Sequence, residues 1–421
     1  MRGFLRDDLS RDQFLVEGRG IYVRDHGGKW YADARSSLWN VALGYGHPRV
    51  TAAIRRQLDL LPFATLLSYS HPAAVTVEFA NALAARLPGR LRHIRLGSTG
   101  SQMTEAAMLL SRFFRQATGE PERIAVIAVE GSYHGTGPGA SALSGCLLPV
   151  RGWNGPVLPG VHHVPAGGPW AAAVRELAGD LGEDRVTAVI IEPMMGSTGV
   201  IPADDDLREL AGYCRARGIH LIGDEVTTGY GRTGHLSRLL HLGIEPDLLI
   251  FSKAITAGYV PGAALAVHDE IFDPVFLLDT GQAFVHGSTT DGHPLAAAAG
   301  LAVLAALYED GVMAAVPAAG ELLQDALAAL HREYLPAGEV GGAGLMRRFQ
   351  LRGPDGSPWP MAEVMRLHGQ CEENGLLVSA GAGCLWFLPP LVISDGQITE
   401  VADRFGDALA GLRKAGSAYL T

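Results

Sequence analysis

The sequence predicts an α/β protein: a large domain with a mostly parallel sheet covered by helices, plus a small α+β domain built from the two chain ends. Three observations predict it. Between about residues 71 and 330, short runs that are apolar throughout alternate with segments of helical periodicity. Strands without polar alternation belong in a parallel sheet covered on both faces. The stretches before and after this region are patterned differently, and the length of 421 residues leaves room for two or three domains. The division read from the pattern is 1–60 for the N-terminal part of the small domain, 61–330 for the large domain and 331–421 for the C-terminal part.

The elements follow in order. Gly20 to Asp33 reads as a hairpin, its apolar alternation broken by the turn pair Gly27-Gly28. Helical periodicity marks Ala73–Leu87, Gln102–Gln116, Trp170–Leu181, Asp205–Arg217, Pro294–Tyr308 and Ala318–Glu333. Buried strands are expected at Ile124–Val129, Val186–Glu192, His220–Asp224, Leu248–Ser252 and Ala263–Val267. After about 335 the alternation changes, and the chain closes with a helix from about Asp395 to Arg413.

Composition narrows the class of function. Lys and Arg number 34 against 44 Asp and Glu, a net charge of -10 that gives no footprint for nucleic acid or anionic lipid and mildly favours cationic partners. Cys146, Cys214, Cys371 and Cys384 form no CxxC pair, which argues against a disulfide framework and a structural zinc site, and no metal is expected. The segment Met1–Leu9 has no apolar signal core, and the longest apolar run, Leu295 to Tyr308, is shorter than the roughly 18 residues of a membrane span. A soluble, cytoplasmic protein is expected. Glycine is in excess, 54 residues without a G-X-Y period, from small-residue bias and from sites where backbone must approach a ligand.

In a parallel sheet of this kind ligands bind beyond the carboxyl ends of the strands. Glu192, Asp224 and the pair Ser252-Lys253 sit at three such ends. Each alone reads as a loop residue or a cap; together they read as a site. Lys253 follows a buried strand and precedes a Gly/Pro turn, where desolvation makes an amine a nucleophile suited to Schiff-base chemistry. Asp224 requires a positive or hydrogen-bond-donating partner, which a protonated pyridine nitrogen would supply. Gly97-Ser-Thr-Gly-Ser101 opens directly into a helix, a cradle for phosphate that is also compatible with an ordinary cap. Ser132-Tyr133-His134-Gly135 offers an aromatic and an imidazole for stacking.

Taken together these residues resemble a fold-type-I pyridoxal-phosphate (PLP) enzyme, and more narrowly the class III aminotransferases. The matching segments are Gly100-Ser-Gln-Met-Thr-Glu-Ala-Ala107, Tyr133-His-Gly135, Ile191-Glu-Pro193, Asp224-Glu-Val-Thr-Thr-Gly-Tyr-Gly-Arg-Thr-Gly234, Pro246 through Lys253, His286-Gly-Ser-Thr-Thr-Asp-Gly-His-Pro294 and Pro389-Pro-Leu391. They run in family order over nearly the whole chain. The resemblance implies pyridoxal 5'-phosphate as cofactor, with Lys253 as its Schiff-base lysine and proton-shift base and Asp224 as the partner of its pyridinium. It implies that Val226 and Tyr133 pack on the two ring faces, with His134 beside Tyr133, that Gly100 and Ser101 hold the phosphate, and that Thr227 approaches the phenolic oxygen. Glu192 then lies near the cofactor's edge, and Thr289 supplies a phosphate ligand from a partner subunit, hence a homodimer with shared sites.

Two departures bear on substrate. The arginine that many relatives carry three residues before the Pro-Pro pair is Trp386 here, and the glutamate some relatives carry five residues after the Glu-Pro glutamate is Ser197. Alternatively the register shifts, and Arg347, Arg348 or Arg352 supplies the missing charge. With the register kept, Trp386 and Ser197, joined by Trp39 and Tyr45, suggest a bulky amine such as a cationic amino sugar, exchanged with a carbonyl acceptor. Loss of a carboxylate clamp also fits an aminomutase or epimerase, which needs no separate donor.

Overall fold

The computed structural model describes residues 14–66, 71–146, 158–277, 283–335 and 337–420, so the segment Met1–Leu9 lies outside the described residues. Two compact units emerge from the packing: residues 49–313, and residues 1–48 together with 314–421. The boundaries fall after Pro48 and Met313, earlier than the pattern breaks at 60 and 330. One helix, Pro48–Leu60, ends at the first expected break, and another, Val312–Tyr334, runs through the second.

In the terminal unit, β1 (Leu15–Arg19), β2 (Tyr22–Asp25) and β3 (Trp30–Asp33) form an antiparallel meander. The expected hairpin is the β2–β3 pair, and Gly28, at φ 90°, takes the left-handed turn position that a side chain would resist.

The central unit holds β4 (His93–Gly97), β5 (Ala125–Val129), β6 (Val161–Val164), β7 (Val186–Ile191), β8 (His220–Asp224), β9 (Leu248–Phe251) and β10 (Ala263–Val267). Their spatial order is β4-β10-β9-β8-β7-β5-β6. The five strands from β9 to β6 are parallel, whereas β10 pairs antiparallel with both β9 and β4. The sheet is buried on both faces because its strands carry apolar side chains on both. Val126, Ala128, Ile190 and Ile222 pack with Met103, Ala107 and Leu110 of the helix Gly100–Ala117. Ile127, Val129, Val189, Ile191 and Leu221 pack on the other face with helices Trp170–Leu181 and Asp204–Ala216. The period-2 alternation of a strand splits one apolar run between two cores.

The chain then returns to the terminal unit. Val312–Tyr334 is one helix long and apolar enough, by length and composition, to cross a membrane. It buries Val316, Gly320, Leu323, Leu327, His331 and Tyr334 along one stripe, the spacing of a helix lying on a protein core. β11 (Val340–Ala343), β12 (Met346–Gln350), β14 (Ser379–Gly381) and β15 (Cys384–Phe387) make a second antiparallel sheet, in the order β11-β12-β15-β14. β13 (Leu376–Leu377) instead joins β3 in parallel. The last helix, Asp395–Lys414, starts in a capping box in which the Ser394 and Gln397 side chains bond each other's backbone.

Candidate active site

Four parallel strands end at the same edge of the central sheet, and each delivers polar residues there. β5 leads to Ser132-Tyr133-His134, β7 to Glu192, β8 ends in Asp224, and β9 leads to Ser252-Lys253. Asp224 is buried, and its Oδ2 lies 2.7 Å from His134 Nδ1, while its Oδ1 accepts the Val226 backbone N–H at 3.1 Å. Glu192 is also buried, and its Oε1 accepts the Tyr133 N–H at 2.8 Å. Burial pushes its carboxyl up to about 7, with Asp224 acting in the same direction and His134 and Lys253 opposing it.

Lys253 opens a short 3-10 turn and holds φ at 43°, a left-handed conformation that costs a side-chain-bearing residue energy and marks a position under constraint. Its Nζ donates to Thr227 Oγ1 at 2.7 Å. Burial pulls the ammonium below its usual range, against Glu192 and Asp224, and the nearby Arg232 adds to the effect. A lysine so placed is nearer to the neutral, nucleophilic form than one in water.

The loop that joins these groups has its own anchor. Glu225 is buried, and its carboxylate accepts from Ser237 Oγ at 2.7 Å, from the Leu239 N–H at 2.8 Å and from the Thr228 hydroxyl. Glu225 and Arg232, both buried, lie in the segment after Asp224 that the sequence analysis quoted without giving either residue a role. The signal was present: charged residues in the Gly-rich loop that follows Asp224 need partners once that loop is buried.

At the start of helix Gly100–Ala117, Thr99 Oγ1 caps the Gln102 N–H at 3.2 Å, and the first turn carries no acidic residue. A Cβ on Gly100 would come within 3.1 Å of Val226 Cγ2 and 3.5 Å of Ser252 Cβ, so the helix start, the loop after β8 and the end of β9 converge there. Ser101 Oγ accepts the Thr136 N–H at 3.3 Å, which ties the helix start to the loop after Tyr133. Tyr133 is half-buried. Thr289 is exposed in a turn whose neighbours reach the same region: Ser98 Oγ meets Thr290 Oγ1 at 2.8 Å, and Gln102 Nε2 donates to Asp291 at 2.6 Å.

The expected substrate residues behave differently. Ser197 directs its hydroxyl to the Gly131 carbonyl, so its proton is engaged within the chain. Trp39 Nε1 donates to Ser379 Oγ at 2.8 Å, and Tyr45 donates to Asp33 Oδ2 at 2.7 Å, both within the terminal unit. Trp386 corrects an expectation. It lies on β15, paired on both sides by β12 and β14, and has no exposed surface, so it presents no open aromatic plane. Arg347 donates to Gln324 Oε1 at 3.1 Å, Arg348 pairs with Glu339 at 2.6 Å and Arg352 donates to the Gly356 carbonyl at 2.6 Å. All three of these arginines have work inside the terminal unit.

The sequence profile described as aminotransferase class-III matches residues 7–409. The chain belongs to the class III aminotransferases. The enzyme is 31% identical over 411 residues to an omega-aminotransferase of Caulobacter vibrioides, covering 93% of this chain and 92% of that one. It is 30% identical over 410 residues to a putrescine–pyruvate aminotransferase of Pseudomonas aeruginosa, covering 92% and 88%. Among solved structures, an (S)-enantioselective omega-transaminase from Thermomicrobium roseum superposes with a TM-score of 0.88 at 31% identity, over 94% of this chain and 92% of that one. A PLP-bound amine transaminase from an uncultivated Pseudomonas species gives 0.89 at 28% identity, over 98% and 99%.

This aminotransferase depends on PLP, and the residues present fit that cofactor. The glycine cradle at the helix start suits a phosphate, Asp224 suits a ring nitrogen, and Lys253 suits a carbonyl carbon. When bound, PLP supplies a carbonyl that takes up amines and a ring that accepts electrons. With the cofactor in place, Lys253 Nζ would take and return a proton, Asp224 would serve as an acceptor, and Gly100 and Ser101 would hold the phosphate.

Proposed function

We propose that this aminotransferase takes its amino group from an amine lacking a carboxylate beside the reacting carbon and passes it to a carbonyl acceptor. The observation that carries this reading is Trp386, an apolar, fully buried residue in the place where many relatives carry a carboxylate-binding arginine. The absence of a glutamate at Ser197 and the engagement of Arg347, Arg348 and Arg352 elsewhere support it. So do the names of two relatives, an omega-aminotransferase and a putrescine–pyruvate aminotransferase. The net charge of -10 adds a preference for cationic amines. Bulky amines and amino sugars remain within this class, although the burial of Trp386 removes one stacking surface that a sugar would use. Transfer is favoured over isomerisation because the relatives described are aminotransferases.

The protein is read as a cytoplasmic homodimer in which Thr289 of one subunit serves the phosphate of the other. The experiment is to present the holoenzyme with putrescine, 1-phenylethylamine, an amino sugar and glutamate in turn, each with pyruvate, and to measure alanine. Alanine formed faster from an amine than from glutamate is expected. Glutamate as the best donor would overturn the donor class, and deuterium incorporation into the amine with no alanine would overturn transfer. In the same assay Lys253→Ala is expected to lose about 10²–10⁴-fold or more in rate, the scale of a missing proton-transfer group.

A further inference from the structure

The loop that carries Thr289 is built around one buried carboxylate. Asp291 is 2% exposed. Its Oδ1 accepts from Gln102 Nε2 at 2.6 Å and from Ser288 Oγ at 2.9 Å, and its N–H donates to the Ser288 carbonyl at 3.1 Å. Its Oδ2 meets no hydrogen-bond partner among the described residues, and Arg95 Nη2 stands 3.5 Å away. A buried carboxylate costs stability unless donors and a cation offset it. Here an amide, a hydroxyl and a guanidinium do so. Arg95 comes from β4 and reaches the loop twice, donating to the His286 carbonyl and facing Asp291. Burial pulls its guanidinium below the usual range, and Asp291 opposes the shift.

The far end of the loop is fixed as well. Thr76 Oγ1 donates to the Gly292 carbonyl at 2.8 Å, and Gly292 holds φ at 68°, where a Cβ would overlap Leu66. Between these anchors one side chain is left out. Ser288 bonds Asp291, and Thr290 Oγ1 meets Ser98 Oγ at 2.8 Å and Ser288 Oγ at 3.2 Å. Thr289 is exposed and makes no hydrogen bond among the described residues. A loop that fixes both neighbours of an exposed hydroxyl presents that hydroxyl in one geometry. Gln102 links this loop to the other half of the phosphate site. It lies in the first turn of helix Gly100–Ala117, and its Oε1 accepts the Ser98 N–H at 2.8 Å while its Nε2 holds Asp291.

We propose that Asp291 is a positioning residue for cofactor binding, which fixes Thr289 in the geometry that meets the phosphate held by a second copy of this chain. The proposal rests on the reading of Thr289 as that ligand. Through Gln102 the same carboxylate ties the loop to the helix start that suits this subunit's own phosphate. Without it, Gln102 and Ser288 lose their common acceptor, Arg95 loses its counter-charge, and Thr289 samples several orientations. Ordering Thr289 again on binding weakens the grip on phosphate alone, because the ring and the carbonyl carbon are met by other residues.

The phosphate itself separates positioning from general damage. The full chain, stripped of cofactor, would be dialysed to equilibrium against PLP and against pyridoxal, which lacks the phosphate. Asp291→Ala is expected to weaken PLP binding about tenfold and to leave pyridoxal within about twofold, the scale of one charge-assisted hydrogen bond made poorly. Asp291→Asn keeps an acceptor for Gln102 and Ser288 and is expected to stay within about threefold of the parent for PLP. Thr289→Ala tests the underlying reading and is expected to lose about tenfold for PLP. Adding Asp291→Ala to it is expected to cost no more than about twofold further, because a residue that acts through Thr289 then has no target. Equal losses for PLP and pyridoxal in Asp291→Ala, no loss for PLP, Asn losing as much as Ala, or full additivity with Thr289→Ala would overturn the proposal and leave the role of Thr289 standing. Thr289→Ala binding PLP as tightly as the parent would overturn both. Should Asp291→Ala fail to fold, Ser288→Ala decides: a loss of about threefold for PLP alone supports the role, and a loss for both ligands or for neither overturns it.

Discussion

Glu192 shows most directly how burial changes a single residue's chemistry. Its carboxyl is pushed up to about 7 in the folded chain, against about 4.5 in an unfolded one. The folded state therefore binds the extra proton between those values, and stability linked to Glu192 is present below about 4.5 and lost as pH rises through about 7. Glutamine imitates the protonated form. In the cofactor-free protein, Glu192→Gln is expected to flatten the fall in stability between about pH 5 and 8, by on the order of 1–3 kcal/mol. Denaturant melts of both proteins at the two pH values check it, and equal falls would show that Glu192 is not the titrating group. Lys253, Asp224 and Glu192 were legible in the sequence because strand ends in a parallel sheet are where ligands bind. The bond between His134 and Asp224 was not, because it joins segments 90 residues apart, and the anchoring of Glu225 was not, because its partners lie 3 to 14 residues on along an irregular loop without periodicity.

Elements differ in how plainly the sequence announces them. Trp170–Leu181, His220–Asp224, Ala263–Val267 and Pro294–Tyr308 lie where periodicity placed them. β4 and β6 escaped notice since they are the two edges of the sheet, half-exposed and without a continuous apolar run. The helix expected from Ala318 begins at Val312, because Pro317 removes one helical hydrogen bond near its start without ending it. The same helix carries a sharp packing constraint. A Cβ on Gly320 would lie 2.3 Å from the Gly344 carbonyl oxygen, a backbone atom that cannot move aside. Gly320→Ala is accordingly expected to destabilise the terminal unit by about 1–3 kcal/mol, despite alanine's better helix propensity. Chemical denaturation reads the sign: a gain in stability would mean that the helix shifts freely against the segment before β12.

For the molecule as a whole, the reading of Thr289 as a ligand for a second copy's phosphate requires a dimer. Light scattering is expected to return twice the mass of one chain, with activity falling on dilution as subunits separate. A fully active monomer would exclude the shared site. What the sequence by itself determined is the fold class, the family and the line of residues from Gly100 to Lys253. Apolar runs and strand-end polar residues are local patterns, and they survive being read one segment at a time. Tertiary structure alone decided the rest. It reversed β10 against its neighbours, brought His134 onto Asp224, and drew Trp386 out of solvent between two strands. Strand direction, long-range hydrogen bonds and full burial are properties of pairs of segments, and their energies exist only once the chain has brought those segments together.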